Sequence, residues 1–198
     1  MFEIIVAMSS ERANNFSNIA YVFLDRDGVL NRKPSGGGFV TSWEQFECLP
    51  GVEEAIARLN RSGRKVILVT NQRGIALGLY SEADLRALHD RLRDHLAAHD
   101  ARLDGIYYCP HDKGQCNCRK PQPGLFEQAF RDFSGATTGN SMMVGDSLSD
   151  MEAGARLGMR CILIADPSEP PRKDADRAAA LATASAASLL DSVQRYLG

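Results

Sequence analysis

The segment Ile19–Gly28 reads IAYVFLDRDG and decides the fold. Its first six residues form a continuous apolar run, which is typical of a strand buried on both faces of a parallel sheet. The run ends abruptly at two carboxylates, Asp25 and Asp27, and a glycine follows them. The segment therefore predicts a buried strand with an acidic site at its carboxyl end.

Four further apolar runs of strand length follow along the chain. They predict buried strands at 65–70, 106–109, 141–144 and 161–164. Between the runs, apolar residues recur at helical spacing, which predicts helices at 50–63, from Ser81 onward, after Pro123–Gly124, at 150–157 and at the end of the tail 172–198. Ser81 with Asp84 resembles a capping box. Strands that alternate with helices predict an α/β domain with a doubly wound, Rossmann-like parallel sheet.

Chain length and spacing bound the domain organisation. A chain of 198 residues has room for one domain with a full core. We interpret residues 1–18 as an N-terminal extension and residues 19–198 as the single domain. The interval from Asp27 to Thr70 spans 43 positions and already holds a helix and part of a strand, so it leaves no room for a separate cap domain. A run of glycines at 36–38 suits a mobile loop near a ligand.

The composition narrows the class of protein. The net charge of −2 and the pI near 6.1 argue against a nucleic-acid partner, which usually requires a clustered excess of Lys and Arg. The longest apolar runs are strand-sized and much shorter than the ~20 residues that span a bilayer, so no membrane partner is expected. Because three of the five cysteines lie close together beside a histidine, we predict a metal site in a reducing, cytoplasmic protein. We expect a monomer.

The two carboxylates after the first strand suit phosphoryl transfer. One can attack phosphorus as a covalent nucleophile, and the other can pass a proton to the leaving oxygen. Because two carboxylates repel a phosphate, such a site requires cations, which a Mg²⁺ held by Asp25 and the distant Asp146 and a nearby lysine would supply. The D-x-D-G pattern taken alone is equally compatible with a turn or with a fragment of a calcium loop.

Three other segments carry groups that bind phosphate. Thr70-Asn71-Gln72 ends a buried strand with a hydroxyl and an amide, although a helix N-cap has the same pattern. Arg119-Lys120 places a bidentate donor beside a point cation, and its alternative interpretation is a solvated charge pair. The segment 145–150, GDSLSD, sets two carboxylates around a turn that a capped helix start would also explain.

Together and in this order, these segments resemble the haloacid dehalogenase-like superfamily of phosphotransferases. The match runs from about residue 21 to residue 166 and departs at Val29, where the family often has Thr. The resemblance implies that Asp25 is the nucleophile and Asp27 the acid/base. It also implies that Thr70 and Lys120 hold the phosphoryl group, and that Asp25, the main-chain carbonyl of Asp27, and Asp146 bind Mg²⁺.

A second cluster is formed by Cys109, His111, Cys116 and Cys118. Three thiolates and an imidazole match a tetrahedral zinc site whose four protein ligands leave no open position, so the zinc should be structural. The alternative is a chance cluster of buried cysteines. Since Arg119 and Lys120 follow the last ligand directly, zinc would fix the loop that delivers two cations to the phosphate.

Within the superfamily, this zinc loop resembles the loops of two groups, the heptose bisphosphate phosphatases and the histidinol phosphatases. The segments TNQRGIA at 70–76 and DGIYYCPH at 104–111 favour the heptose group, whereas the short stretch between His111 and Cys116 is nearer the histidinol group. The resemblance implies hydrolysis of the 7-phosphate of D-glycero-D-manno-heptose 1,7-bisphosphate in nucleotide-heptose and surface polysaccharide biosynthesis. Candidate substrate-binding residues are Asn71, Gln72, Arg73, Arg119, Gly38 and Phe39. Histidinol phosphate as the substrate, or a catalytically inert zinc-stabilised binding module, are the alternatives.

The remaining cysteines and two histidines receive structural interpretations. Cys48 and Cys161 lie in apolar contexts and are interpreted as packing residues. His95 and His99 stand four positions apart on the helix that begins after Ser81, without an acidic partner motif. We therefore interpret them as surface residues.

Overall fold

The computed structural model describes residues 16–34, 36–168 and 173–197 of the chain. In these residues, six strands form one sheet in the order β3-β2-β1-β4-β5-β6, and every pairing is parallel. The strands are β1 (Tyr21–Leu24), β2 (Lys65–Asn71), β3 (Gly105–Cys109), β4 (Ser141–Gly145), β5 (Arg160–Ile164) and β6 (Ala184–Ala186). The helices are α1 (Val52–Arg61), α2 (Glu82–Ala97), α3 (Gly124–Asp132), α4 (Leu148–Arg156), α5 (Ala175–Leu181) and α6 (Leu189–Tyr196).

The doubly wound parallel sheet predicted from the sequence is confirmed. Side chains alternate across β1, so that Val22 and Leu24 face one helical layer while Phe23 faces the other. The first layer contains α1, α2 and α6, and the second contains α3, α4 and α5. Because helices cover both faces, the central strands are buried throughout, which explains their unbroken apolar runs.

The helix that follows residue 81 begins as its capping box predicts. The Ser81 hydroxyl accepts a hydrogen bond from the main-chain N–H of Asp84, and the Asp84 carboxylate accepts one from the main chain of Ser81. The same arrangement recurs at α4, where Ser147 and Asp150 cap each other. These reciprocal bonds satisfy donors that a helix start otherwise leaves without partners.

The tail contains more structure than its apolar periodicity predicts. A docked helix, α6, is present, but α5 and the short strand β6 precede it. β6 pairs with β5 and extends the sheet by one strand. Its three residues, Ala-Ser-Ala, carry no apolar run, so no sequence pattern distinguished them from a loop.

Packing begins before the first strand. Phe16 is 1% exposed and its ring lies 5.3 Å from that of Tyr196 on α6, so the core includes a residue that the sequence analysis placed in the extension. The rest of that predicted extension, up to residue 15, lies outside the described residues. No helix among the described residues is long and apolar enough to span a membrane.

The intervals between the strand ends are filled by ordinary elements. Between Asp27 and Thr70, the described residues form a loop, a short 3-10 helix at Trp43–Gln45, α1 and most of β2. Between Thr70 and Lys120 they form the end of β2, a turn, α2, β3 and the cysteine-containing loop. Within the described residues neither interval forms a separate cap domain.

Candidate active site

Three strands deliver polar side chains to one edge of the sheet. Asp25 follows β1, Thr70 lies near the end of β2, and Asp146 follows β4. β1 pairs with β2 on one side and with β4 on the other, so these residues meet where the strand order changes direction. This is the edge at which doubly wound sheets bind ligands.

Lys120 joins two carboxylates in the interior of this edge. Its ammonium Nζ lies 2.8 Å from Asp25 Oδ1 and 2.6 Å from Asp150 Oδ1, and it donates to the main-chain oxygen of Val69 at 2.7 Å. Burial disfavours the charged amine, but the carboxylates of Asp150 and Asp25 outweigh it and hold the pKa of Lys120 above its usual value. The lysine is therefore a fixed positive charge at neutral pH.

Neighbouring lysines favour the ionised form of the Asp25 carboxyl group. Burial alone would raise the pKa of its carboxyl, but the charges of Lys120 and Lys33 outweigh burial and hold the pKa below the usual value. The side chain remains 12% exposed, so a ligand can reach it. A buried carboxylate that stays charged and accessible is suited to nucleophilic attack.

Asp146 contacts a lysine that the sequence analysis did not select. Lys33 Nζ lies 3.0 Å from Oδ1 and 2.8 Å from Oδ2 of this carboxylate. Gly28 packs against the same group: a Cβ on Gly28 would lie 1.9 Å from Asp146 Oδ2, and the backbone there has a φ of +93°. Glycine in the D-x-D-G motif is thus required both by the conformation and by the space next to Asp146.

Asp27 is held in place from three directions. Arg26, which is 1% exposed, donates from Nε and Nη2 to its carboxylate, at 3.2 and 2.9 Å to Oδ1. Asn31 donates to Oδ1 at 3.0 Å, and Gln72 donates to Oδ2 at 3.1 Å. The orientation of Asp27 is therefore set by the protein before any substrate binds.

Gln72 lies beneath the site, although the sequence analysis proposed it as a substrate-binding residue. It is 1% exposed, and its amide donates to Thr70 Oγ1 at 2.8 Å as well as to Asp27. The hydroxyl of Tyr80 donates to Gln72 Oε1. These contacts make Gln72 a residue that positions Asp27 and Thr70.

Two more predicted substrate-binding residues are engaged with the protein. The amide of Asn71 donates to the main-chain oxygen of Lys120 at 3.1 Å and accepts from its main-chain N–H at 3.0 Å. Arg73 forms an ion pair with Asp112 in the cysteine-containing loop. In this arrangement Asn71 fixes the backbone of Lys120, and Arg73 braces the loop.

The other candidate substrate residues lie in two loops. Gly38 is exposed and Phe39 is half-buried, in a loop whose Val40 carbonyl accepts a hydrogen bond from Arg26 at 3.4 Å. Arg119 is partly buried, and its Nη1 has no hydrogen-bond partner within the described part of the chain. A buried guanidinium N–H without a partner is costly, so an anion would bind there favourably.

The structure brings together the four predicted ligands Cys109, His111, Cys116 and Cys118. The Sγ atoms of Cys109, Cys116 and Cys118 lie 3.2–3.5 Å apart, and His111 Nδ1 lies 3.4 Å from Cys118 Sγ. Zinc–sulfur bonds of about 2.3 Å place tetrahedral sulfurs about 3.8 Å apart. The donor set and its spacing therefore fit a four-coordinate zinc ion, after an expansion of a few tenths of an ångström.

The carboxylate cluster fits a different metal. Oxygen atoms of Asp25, Asp146 and Asp150 lie within 4.8 Å of one another. Carboxylate oxygens with space for water are the donors that Mg²⁺ prefers. Asp150 is committed elsewhere, because its Oδ2 accepts from the Ser147 hydroxyl at 2.6 Å and its Oδ1 faces Lys120. Asp25 and Asp146 are thus the carboxylates best placed for the metal, with Asp150 supporting Lys120.

A cavity of about 900 Å³ opens on the β5 side of the site. Its lining includes Gly28, Lys33 and Asp146 of the site, together with apolar residues such as Leu163 and Leu189. The cysteine-containing loop follows β3, on the opposite side of β1 in the strand order. The reacting centre therefore lies between an apolar cavity and a loop that carries Arg119.

Sequence comparisons place these features among known proteins. A family model described as HAD-hydrolase-like matches residues 117–192. A D-glycero-beta-D-manno-heptose-1,7-bisphosphate 7-phosphatase of Vibrio cholerae is 40% identical over 184 residues, which cover 89% of this chain and 95% of that protein. A D-glycero-alpha-D-manno-heptose-1,7-bisphosphate 7-phosphatase of Mycobacterium bovis is 43% identical over 132 residues, which cover 66% of this chain and 69% of that protein.

A solved structure shares the fold at high similarity. The D,D-heptose 1,7-bisphosphate phosphatase of B. bronchiseptica, complexed with magnesium and phosphate, superposes with a TM-score of 0.76 at 32% identity. The match covers 89% of this chain and 97% of that one. The resemblance inferred from the sequence motifs therefore extends over nearly the whole domain.

Proposed function

The chain belongs to the haloacid dehalogenase-like hydrolases, and we propose that it removes the 7-phosphate of D-glycero-D-manno-heptose 1,7-bisphosphate. The observation that carries the phosphatase assignment is the Asp25–Lys120 pair, with Nζ 2.8 Å from Oδ1, beside the fixed carboxylate of Asp27. The names of the relatives support the substrate. The proposed pathway is nucleotide-heptose synthesis for surface polysaccharide.

In the first step, a carboxylate oxygen of Asp25 attacks phosphorus and forms an acyl phosphate. The bond between phosphorus and the sugar oxygen breaks, and Asp27 transfers a proton to that oxygen. The hydrogen bonds from Arg26, Asn31 and Gln72 support this role, because they hold Asp27 in one orientation. Because the side chain is already oriented, no further conformational entropy is lost when it transfers the proton.

In the second step, Asp27 takes a proton from water, which attacks the same phosphorus. The bond from phosphorus to the Asp25 oxygen breaks, so that phosphate leaves and the Asp25 carboxylate is restored. Lys120 and the hydroxyl of Thr70 bind the phosphoryl oxygens in both steps. Lys120 is suited to this task because it stays charged in a buried position.

Two metals complete the proposed enzyme. Asp25, Asp146 and the main-chain carbonyl of Asp27 would hold Mg²⁺, which supplies positive charge to the phosphoryl group when bound. Cys109, His111, Cys116 and Cys118 would hold a structural Zn²⁺. The zinc loop supports the reaction indirectly, because Arg119 and Lys120 directly follow its last ligand.

Arg119 supports a bisphosphate substrate. Lys120 faces Asp25, whereas Arg119 leaves Nη1 buried without a hydrogen-bond partner in the described residues. A second phosphate would satisfy this guanidinium with a bidentate contact that lysine cannot reproduce. Histidinol phosphate, favoured by the short stretch between His111 and Cys116, offers no second phosphate.

The direct test is phosphate release with Mg²⁺ from three substrates: the α- and β-anomers of heptose 1,7-bisphosphate, and histidinol phosphate. We expect turnover of at least one heptose anomer, with ³¹P NMR showing that the phosphate at C1 is retained. Preferential hydrolysis of histidinol phosphate would replace the proposed substrate. Absence of turnover on all three would favour the zinc-stabilised binding module.

A substitution at Arg119 tests the bisphosphate argument separately. Arg119→Ala should lower kcat/KM on heptose 1,7-bisphosphate by ~10–100-fold, or roughly 1.5–3 kcal/mol for a charge-assisted contact. On p-nitrophenyl phosphate the same change should have little effect. Arg131→Ala, on the exposed side of α3, is the matched control. Equal losses on both substrates would mean that Arg119 serves the reacting phosphate.

The proposal assigns the described residues from Phe16 onward to one phosphatase domain. The monomeric state and the cytoplasmic location stay predictions of the sequence analysis. Size-exclusion chromatography with light scattering would check the first of these directly.

A further inference from the structure

A third group of potential metal ligands lies outside the proposed reaction site. It consists of Cys48 in the loop before α1, Glu53 in the first turn of α1, and His95 in the last turn of α2. One ligand atom from each residue lies within 4.8 Å of the others. The three residues come from separate elements, so the fold, and not local sequence, brings a sulfur, an oxygen and a nitrogen together.

The contacts in this group are direct. His95 Nε2 lies 2.8 Å from Glu53 Oε1, which gives His95 the acidic partner that the sequence analysis did not find. Burial, together with the Glu53 carboxylate, raises the pKa of the Cys48 thiol to about 12. Cys48 therefore does more than pack, because it lies against a carboxylate that also contacts an imidazole.

The surroundings leave a path for an ion. The side chains of His95 and Glu53 are 29% and 21% exposed. Trp43 lies beside the cluster, with its ring 5.5 Å from that of His95 and stacked on Phe46 at 5.2 Å. A site with an apolar wall and one open side can admit a metal and keep a water as the fourth ligand.

We propose that Cys48, Glu53 and His95 form a second zinc site, with water in the fourth position. Zinc accepts mixed sulfur, nitrogen and oxygen ligands in tetrahedral geometry. On binding, the thiol proton of Cys48 leaves to solvent, and the dication balances one thiolate and one carboxylate. The Glu53 and His95 atoms need only separate by about half an ångström to occupy two tetrahedral positions around zinc.

The site would join the 41–49 segment to α1 and α2. This segment is hydrogen-bonded to the chain that follows the D-x-D-G motif, through Arg32 N to Glu47 O at 2.9 Å and Leu49 N to Leu30 O at 2.9 Å. Metal binding at Cys48 would therefore stabilise the 41–49 segment, and through these hydrogen bonds the residues around Leu30 and Arg32 that precede Lys33. With three protein ligands, the site should bind zinc more weakly than the four-ligand loop at 109–118.

Trp43 allows a local test, because it is the single tryptophan of the chain and lies beside His95. Protein with one retained zinc is titrated with Co²⁺ in excess Mg²⁺, which occupies the aspartate site. We expect one further equivalent of Co²⁺ to produce a near-ultraviolet thiolate-to-cobalt absorption band and to quench Trp43 fluorescence. Competition by Zn²⁺ should reverse both signals.

Variants assign the signals to these residues. Cys48→Ser should abolish the absorption band, and His95→Gln should weaken Co²⁺ binding by more than the ~10–100-fold that loss of an outer-shell partner costs. Cys161→Ser, at a cysteine buried on the opposite face of the sheet, should leave both signals unchanged. Glu53→Gln keeps the shape of the cluster and serves as a second variant if Cys48→Ser unfolds.

A thiolate band that persists in Cys48→Ser would overturn the proposal, because cobalt would then occupy the 109–118 loop. Absence of the band and of Trp43 quenching in the parent protein would overturn it as well. Neither result depends on phosphatase activity, so the test is independent of the proposed function.

Discussion

The aspartate cluster and the cysteine cluster both offer metal ligands, but they differ in how the charge of their ligands is neutralised. At the aspartates, Lys120 lies 2.8 Å from Asp25 and Lys33 lies 2.8 Å from Asp146. At the cysteines, the thiol of Cys118 lies 3.2 Å from Cys109 Sγ and 3.3 Å from Cys116 Sγ, so the ligands contact one another. One cluster carries its own cations, and the other consists of groups that a metal must deprotonate.

This difference predicts different consequences of damage. A carboxylate cluster organised by lysines and hydrogen bonds should keep its structure when the metal or one carboxylate is removed, and should lose its chemistry. A thiol cluster organised by a metal should lose structure first. The two regions are also connected, since the chain passes from the last thiol ligand to Lys120 within two positions.

The largest effect is expected from Asp25→Asn. The substitution keeps the shape of the side chain but removes the charge that we propose attacks phosphorus and binds the metal, so kcat should fall by at least ~10³-fold. The melting temperature should change little, because Lys120 retains Asp150 as a partner at 2.6 Å. A large loss of stability would contradict the view that the protein's own cations organise this cluster.

A smaller effect, on stability and not on chemistry, is expected from Cys116→Ser. The purified protein should retain about one tightly bound zinc, and the variant should lose about 2–4 kcal/mol of unfolding free energy before kcat per folded molecule falls. Metal analysis and thermal denaturation measure the two quantities. Zinc held by three protein ligands and an exchangeable water would contradict the structural role. Absence of zinc from protein prepared without chelator would contradict the zinc site itself.

His89 is a buried histidine whose imidazole makes the stability of the fold depend on pH. Burial and the neighbouring charge of Arg26 lower its pKa from 6.5 to about 3, and its Nε2 has no hydrogen-bond partner in the described part of the chain. The folded protein therefore keeps this imidazole neutral. As pH falls below 6.5, the unfolded chain takes up a proton that the folded chain does not, so stability declines until the pH reaches about 3.

His89→Leu should remove that decline. Between pH 6 and pH 4, the free energy of unfolding of the parent protein, measured with denaturant, should fall by roughly 1.4 kcal/mol per pH unit more than that of the variant. Above pH 7 the two slopes should coincide, because the imidazole is neutral in both the folded and the unfolded chain. The carboxylates common to both proteins cancel in the difference between their profiles. Parallel profiles across the acidic range would mean that His89 is protonated in the folded state, against the burial and charge described here.

The elements of the fold that the sequence predicts are those with local signals. The apolar run before Asp25 and the capping box at Ser81 specify structure through neighbouring residues alone, and both are confirmed. β6 carries no such signal, because its three small residues form a strand only by pairing with β5. Its existence depends on tertiary context.

The same distinction applies to the candidate site. Asp25, Thr70 and Asp146 lie at or beside the carboxyl ends of strands, and parallel strands end at the same edge of the sheet. Lys120 follows no strand, and only the resemblance to the superfamily indicated its role. The motifs did not reveal that Gln72 turns inward toward Asp27, or that Lys33 reaches Asp146 across 113 positions. No sequence pattern indicates the direction of a single side chain or a contact between residues far apart in the chain. The segment GDSLSD carried the signal for Asp150, both as a second carboxylate after the strand and as part of a capped helix start.

The central claim is that Asp25 carries the phosphoryl group during turnover. The most direct test mixes enzyme with substrate and Mg²⁺, quenches with acid, reduces acyl phosphates with borohydride and maps the modified peptide. We predict that Asp25 is converted to homoserine, and that the conversion is absent in the Asp25→Asn protein. Modification at any other carboxylate, or turnover without a trapped acyl phosphate, would contradict the mechanism.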